Sequence, residues 1–216
     1  MEFQKKSTVN VCDKGSHYLS NEWCFFIHTH SQSENYGKSY KKILTFDTCE
    51  EWARLINNVP KASILLSATN EVYINNEKVV AYSVFKKNIL PEWEHGENRF
   101  GCEWGCRQII NSDDADLIWE TLFMELISGK LNVLGIRVVN KTNFVRSFSK
   151  IEIWMSDKDD PADIYMNLHK VFQNIGLQEE VPNFQLLYHD SKQKEAKIFL
   201  DKKKRRYKEK KFCNFI

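Results

Sequence analysis

Residues 82–104 read Tyr-Ser-Val-Phe-Lys-Lys-Asn-Ile-Leu-Pro-Glu-Trp-Glu-His-Gly-Glu-Asn-Arg-Phe-Gly-Cys-Glu-Trp. Tyr82 and Val84 open the stretch as a strand, and Pro91, Gly96 and Gly101 then punctuate a loop. Trp93 sits in that loop between Glu92 and Glu94. A tryptophan on a polar loop exposes a large apolar face unless something covers it, and a ligand is one such cover. The carboxylate of Glu94 offers two acceptors beside the ring. A ring next to a carboxylate suits a flat, cationic guest that carries adjacent N–H groups. A tryptophan that merely caps a small cluster under its own loop is the plainer reading of the same residues.

Outward from this stretch the chain repeats one order of elements. Trp23 to His28 is an aromatic-rich strand, followed by a polar stretch through Gly37 and a second strand from Tyr40 to Phe46. Thr48-x-x-Glu51 is a capping box that opens a helix with Trp52, Leu55 and Ile56 on one face. After a connection near Ile64 to Asn70, strand Val79 to Phe85, the Trp93 loop and strand Gly105 to Ile110 lead to a helix begun at Ser112 and ended by Gly129. Strand Val133 to Asn140, a basic loop and strand Lys150 to Met155 then precede Asp160-Pro161, the N-cap and N1 of a third helix. A last strand covers Phe184 to His189. Strand-strand-helix, three times over, predicts an α+β domain: an antiparallel sheet with helices on one face, leaving the other face free for a ligand.

Length and composition agree with one domain. The 216 residues are 42% hydrophobic and 28% charged, as in a globular protein with a sizeable core. The organisation expected is an N-terminal arm over 1–16, one domain over 17–200 and a basic tail over 201–216. No apolar run approaches the ~20 residues of a membrane span, and an intracellular, monomeric protein is expected. Residues 202–211 carry eight Lys/Arg and one Glu, which leaves −5 of the net +2 for the remainder. Affinity for phosphate must therefore come from placed residues, and the tail suits RNA contact or nuclear import in addition to a cytoplasmic location. The six cysteines contain no CxxC pair, so reduced thiols are expected and neither metal nor cofactor.

The chain resembles the translation initiation factor 4E family, which binds the 7-methylguanosine cap of mRNA. The resemblance rests on Phe85 with Pro91-x-Trp93-Glu94 and Gly101-x-x-Trp104, on His17-x-Leu19-x-Asn21-x-Trp23, and on Tyr36-Gly37-Lys38-Ser39 before Phe46-Asp47-Thr48-x-Glu50-Glu51-Trp52. Trp119-x-x-Leu122 with Leu126-Ile127, and Lys150-Ile151-x-Ile153-Trp154, continue it. It implies a curved antiparallel sheet with three helices on its convex face and the cap pocket on the opposite side.

The resemblance also implies roles. The guanine would lie between Tyr36 and Trp93, with cation–π attraction to its methylated ring. Glu94 would accept from guanine N1–H and the 2-amino group, a charge-assisted pair worth roughly 1.5–3 kcal/mol, and Trp154 would pack on the N7-methyl. Lys150 aligns with a phosphate-binding lysine, and Arg146 or Lys141 would supply its partner cation. His17, Trp52, Ala53 and Trp119 would form the surface for a 4G-like scaffold or a 4E-binding protein. Capped mRNA is thus the expected ligand, in translation initiation and without catalytic residues; a cap-binding repressor shares the same pocket.

Three departures stand out. Tyr36 replaces the usual tryptophan. Glu103 stands where better-known members carry an arginine, and its charge is expected to repel phosphates. Ala53 occupies the position of a dorsal tryptophan. A metal-dependent hydrolase using His28, His30 and nearby carboxylates such as Asp47 is the alternative from another class; His28-x-His30 puts two candidate ligands on one strand face, and the spacing fixes no third.

Overall fold

The computed structural model describes residues 16–30, 39–67, 69–108, 112–141, 149–176 and 183–189. Tyr36, Arg146, the N-terminal arm over 1–15 and the basic tail lie outside the described residues. The described strands are β1 (Tyr18–Thr29), β2 (Tyr40–Thr48), the short β3 (Tyr73–Ile74), β4 (Glu77–Lys86), β5 (Cys102–Gln108), β6 (Gly135–Asn140), β7 (Ser149–Met155) and β8 (Phe184–Tyr188). Helices α1 (Cys49–Asn58), α4 (Ser112–Ile127) and α5 (Pro161–Asn174) are the three expected. Two short helices, α2 (Ala62–Leu66) and α3 (Gly96–Arg99), fall where the sequence predicted only connections.

Local chemistry sets the helix starts. Thr48 Oγ1 accepts from the Glu51 amide and Glu51 Oε2 reaches back to accept from the Asp47 amide, so one first-turn donor and the amide just before the cap are satisfied across the helix start. Asp160 caps α5 by accepting from the Ala162 amide at 2.9 Å, with Pro161 in the first turn.

The sheet is antiparallel throughout and runs β2-β1-β4-β6-β7-β5-β8, with β3 pairing β4. One feature of this order fixes the site. The β6–β7 hairpin is inserted between β4 and β5, so the segment joining β4 to β5, which carries Trp93, crosses the ends of β6 and β7. Alternate residues of every strand face the helices: Trp23, Phe25, Val84, Trp104, Ile136, Ile153 and Met155 join Leu55, Leu122, Phe123, Leu168 and Phe172 in the main core. Trp104 ties α5 to the sheet, since its indole N–H donates to the Pro161 carbonyl at 2.8 Å and its ring meets Tyr165. Cys102 and Cys106 lie in the same core, and burial pushes their thiols up to about 12 and about 11. They are unreactive at neutral pH.

The opposite face carries a smaller core of Cys24, Phe26, Phe85, Ile89, Leu134 and Trp154. Gly135 stands between Phe85 and Trp154 in one cross-strand row. A Cβ there would lie 2.5 Å from the Phe85 ring. Its absence lets Phe85 and Trp154 meet edge to face at 5.3 Å.

Candidate functional site

The Trp93 loop is held by Asn98. This wholly buried side chain donates to the Leu90 and Glu92 carbonyls, each at 2.7 Å, so it pins the two residues on either side of Pro91. Its backbone carbonyl accepts from the Gly101 amide. Gly101 must lack a side chain, because a Cβ would lie 2.0 Å from the Met155 carbonyl oxygen on β7. Tyr40 on β2 fastens the loop from the other side, its hydroxyl donating to Glu92 at 2.6 Å. The loop is therefore clamped at several points, and clamped loops hold binding side chains in one geometry.

On this frame Trp93 is 45% exposed, far more than the other tryptophans whose burial decides the core, and Glu94 beside it is also exposed. One face of Trp93 is covered by His189, which follows β8. The two rings stack with centroids 5.7 Å apart and planes 16° apart. The His189 ring also meets Trp154, at 4.7 Å. Trp154 is 1% exposed, packed under Phe85 and His189, and its indole N–H donates to Glu152 at 3.0 Å. The structure thus brings Trp93, Glu94 and Trp154 to one end of the sheet, but with Trp154 beneath His189 and presenting no open face.

A row of buried charge crosses the same face. Lys150 Nζ lies 2.5 Å from Glu103 Oε1 and 2.7 Å from Glu152 Oε1, while Arg137 approaches Glu152 at 3.5 Å. Burial alone would lower the Lys150 ammonium, but the Glu152 and Glu103 carboxylates outweigh it and hold it above its ordinary range. Burial likewise pushes Glu152 up, and Arg137 and Lys150 overcome this to hold it below the usual carboxylate range. Two cations and two carboxylates cancel. Glu103, expected to repel phosphates, is instead wholly buried as a partner of Lys150, and Lys150 is not presented as a bare rim cation. Lys141 is exposed at the end of β6. Of the phosphate-binding residues predicted, only Lys141 and Lys150 can be located, and the two sit differently.

His28 does not join a metal cluster. It is buried, its Nε2 lies 2.8 Å from Ser83 Oγ, and burial together with nearby Arg137 holds it well below the ordinary imidazole range. His30 is exposed beyond the end of β1. Among the described residues no three His, Cys, Asp or Glu side chains are grouped as metal ligands would be.

On the helix-covered side, His17 is fixed to the start of α1: its Nδ1 lies 2.7 Å from Glu50 Oε1, and its carbonyl accepts from the Cys49 amide. The hydrogen bond from His17 holds the Glu50 carboxyl below its ordinary range. Trp52 is half-buried against Phe123, and Ala53 follows it at partial exposure. Trp119 is buried in the core, so it supports that surface from below. The apolar residues that do reach solvent there are Ile64, Leu117 and Met124, which the sequence reading did not single out. It also missed Tyr40, Asn98 and His189. Asn98 between two loop glycines is a readable signal for a loop clamp; His189 gives none, since its partners are distant in sequence.

The family model described as Eukaryotic initiation factor 4E matches residues 18–206. The eukaryotic translation initiation factor 4E-2 of Schizosaccharomyces pombe is 26% identical over 147 residues, covering 67% of this chain and 56% of that protein. The eukaryotic translation initiation factor 4E of Xenopus laevis is 26% identical over 169 residues, covering 76% of this chain and 74% of that protein. Among solved structures, C. elegans eIF4E-3, in its complex with the 4E-binding protein Mextli and a cap analog, matches with a TM-score of 0.61 at 20% identity, covering 81% of this chain and 94% of that one. Ascaris suum eIF4E-3 with an m2,2,7G cap matches with a TM-score of 0.60 at 20% identity, covering 82% and 93%. These structural likenesses show a shared fold, and the sequence match over most of the chain gives the rest: the chain belongs to the eukaryotic initiation factor 4E family.

Proposed function

We infer that this chain binds the 7-methylguanosine cap of mRNA and serves translation initiation as a binding protein without catalytic chemistry. The observation that carries this reading is Trp93: a tryptophan 45% exposed on a clamped loop, with the exposed carboxylate of Glu94 next to it. A methylated guanine carries a delocalised positive charge, so it gains cation–π attraction on the open indole face. Glu94 accepts from N1–H and the 2-amino group, donors that adenine does not offer. Tyr36 closes the sandwich from the segment between β1 and β2. Arg146, preferred for its bidentate fork, or Lys141 holds the phosphates, and Lys150 takes part only if it exchanges a carboxylate for a phosphate oxygen.

On the far side of the sheet, Ile64, Leu117 and Met124 with Trp52 offer an apolar surface for a 4G-like scaffold or a 4E-binding protein. No described helix is long and apolar enough to cross a membrane. The proposed role in translation initiation is what makes the cytoplasm the proposed location. Retention of the chain on a 7-methyl-GTP resin, eluted by 7-methyl-GTP and not by GTP, tests the reading. Failure to be retained overturns it.

A further inference from the structure

We propose that His189 is a positioning residue of the cap site: it backs Trp93 from inside, so that the base stacks on the outer indole face. The proposal rests on the cap-binding reading above and adds a residue to that site.

Three observations carry it. First, the His189 side chain is fully buried and lies against both tryptophans, nearly parallel to Trp93 at 5.7 Å and tilted against Trp154 at 4.7 Å. Second, it is anchored to the loop that carries Trp93. Its Nδ1 lies 2.7 Å from the Asn98 carbonyl oxygen, so the N–H there donates, and its own amide donates to the Gly101 carbonyl at 3.2 Å. Third, the loop cannot shift independently, because Asn98 also grips Leu90 and Glu92. A side chain tied down in this way is a wall and not a swinging plug.

The consequence is pre-organisation. An indole on a free loop samples several rotamers, and a ligand must stop that motion when it binds. A ring fixed behind it removes the cost in advance. The stack runs Trp154, His189, Trp93 and then base, each ring supported by the one beneath. Glu103 completes the seat, with its Oε2 3.6 Å from His189 Nε2. Among the described residues neither of these two atoms has a hydrogen-bond partner, so ring stacking, the Asn98 bond and the approach of the Glu103 carboxylate hold the imidazole.

The test compares His189→Ala, His189→Asn and His189→Phe in the full chain, with thermal melting to establish that each folds. Asn keeps a donor for the Asn98 carbonyl but has no ring; Phe keeps the ring but has no donor. The ligand-free readout is the indole N–H resonance of Trp93 in nitrogen-15 spectra, assigned by its loss in Trp93→Phe. The second readout is 7-methyl-GTP affinity by calorimetry. We expect the Trp93 signal to move and gain mobility in the Asn and Ala variants, with affinity lower by about five- to tenfold, and both to recover in Phe. Unchanged affinity with an unchanged Trp93 signal overturns the proposal. Higher affinity in Ala or Asn also overturns it, because His189 would then be competing for the base's place. If the wild type itself fails to bind 7-methyl-GTP, the cap-binding reading falls, while the Trp93 resonance still decides whether His189 holds the ring.

Discussion

Lys150 and Glu103 form an ion pair of 2.5 Å between neighbouring strands, with the lysine side chain 9% exposed and the glutamate fully enclosed. The pair changes what a familiar lysine can do. With Glu152 on its other side, Lys150 is neutralised where it stands. Breaking a buried pair by removing one partner leaves an uncompensated charge, which is why such residues resist exchange with an incoming anion.

Glu103→Gln should therefore give the face one net positive charge while keeping a hydrogen-bond acceptor for Lys150. The preference for 7-methyl-GTP over 7-methylguanosine is expected to rise by about tenfold, on the order of 1.4 kcal/mol, and to become more sensitive to salt. Calorimetry with both ligands at two salt concentrations measures it. An unchanged ratio would mean that Lys150 does not reach the phosphates even when released.

His28 makes stability depend on pH. Its folded form refuses the proton because of burial and the neighbouring Arg137, whereas an unfolded histidine takes one up near pH 6.5. The unfolded state thus binds more protons, and the His28 contribution is complete above about pH 6.5 and lost as the pH falls below it. A slope of up to about 1.4 kcal/mol per pH unit is expected. His28→Gln retains a partner for Ser83 and removes the titration. Urea unfolding at pH 7.5, 6.5 and 5.5 should show a flatter dependence in the variant, and an identical slope would assign the effect to another group.

Ala53 should weaken the partner surface. Interface energy concentrates in a few bulky anchors, each worth about 2 kcal/mol or more, and Ala53 supplies little area next to half-buried Trp52. Ala53→Trp is expected to tighten binding of a Tyr-x4-Leu-hydrophobic helical peptide while leaving 7-methyl-GTP binding unchanged, since α1 lies across the sheet from Trp93. Tight binding by the wild type with no gain in the variant would show that Trp52, Leu117 or Met124 already serves as the anchor.

Much of this architecture was legible because its signals are local. Thr48-x-x-Glu51 and Asp160-Pro161 mark two helix starts within four residues, and both caps form. Pro91, Gly96 and Gly101 mark the loop that presents Trp93. What could not be read depends on distant pairing. Insertion of β6–β7 between β4 and β5 brings Trp154 beneath the Trp93 loop, and no local pattern encodes that order. His189 meets Asn98 across 91 residues, and Lys150 meets Glu103 across 47. Glu103 read in isolation is a charge that repels phosphate; with Lys150 in place it is a buried partner. Ile64 to Leu66 read as connection because a one-turn helix is too short to show a period.

The central claim is that Trp93 and Glu94 read a methylated guanine, and quenching of tryptophan fluorescence tests it most directly. Titrating the wild type with 7-methyl-GTP should give saturable quenching, with GTP at least about tenfold weaker because it lacks the charged ring that favours stacking. Glu94→Ala should fold normally and show no saturable quenching by either nucleotide, since both guanine donors lose their acceptor. Equal quenching by the two nucleotides, or a Glu94→Ala variant that binds 7-methyl-GTP within about twofold of the wild type, would contradict the account.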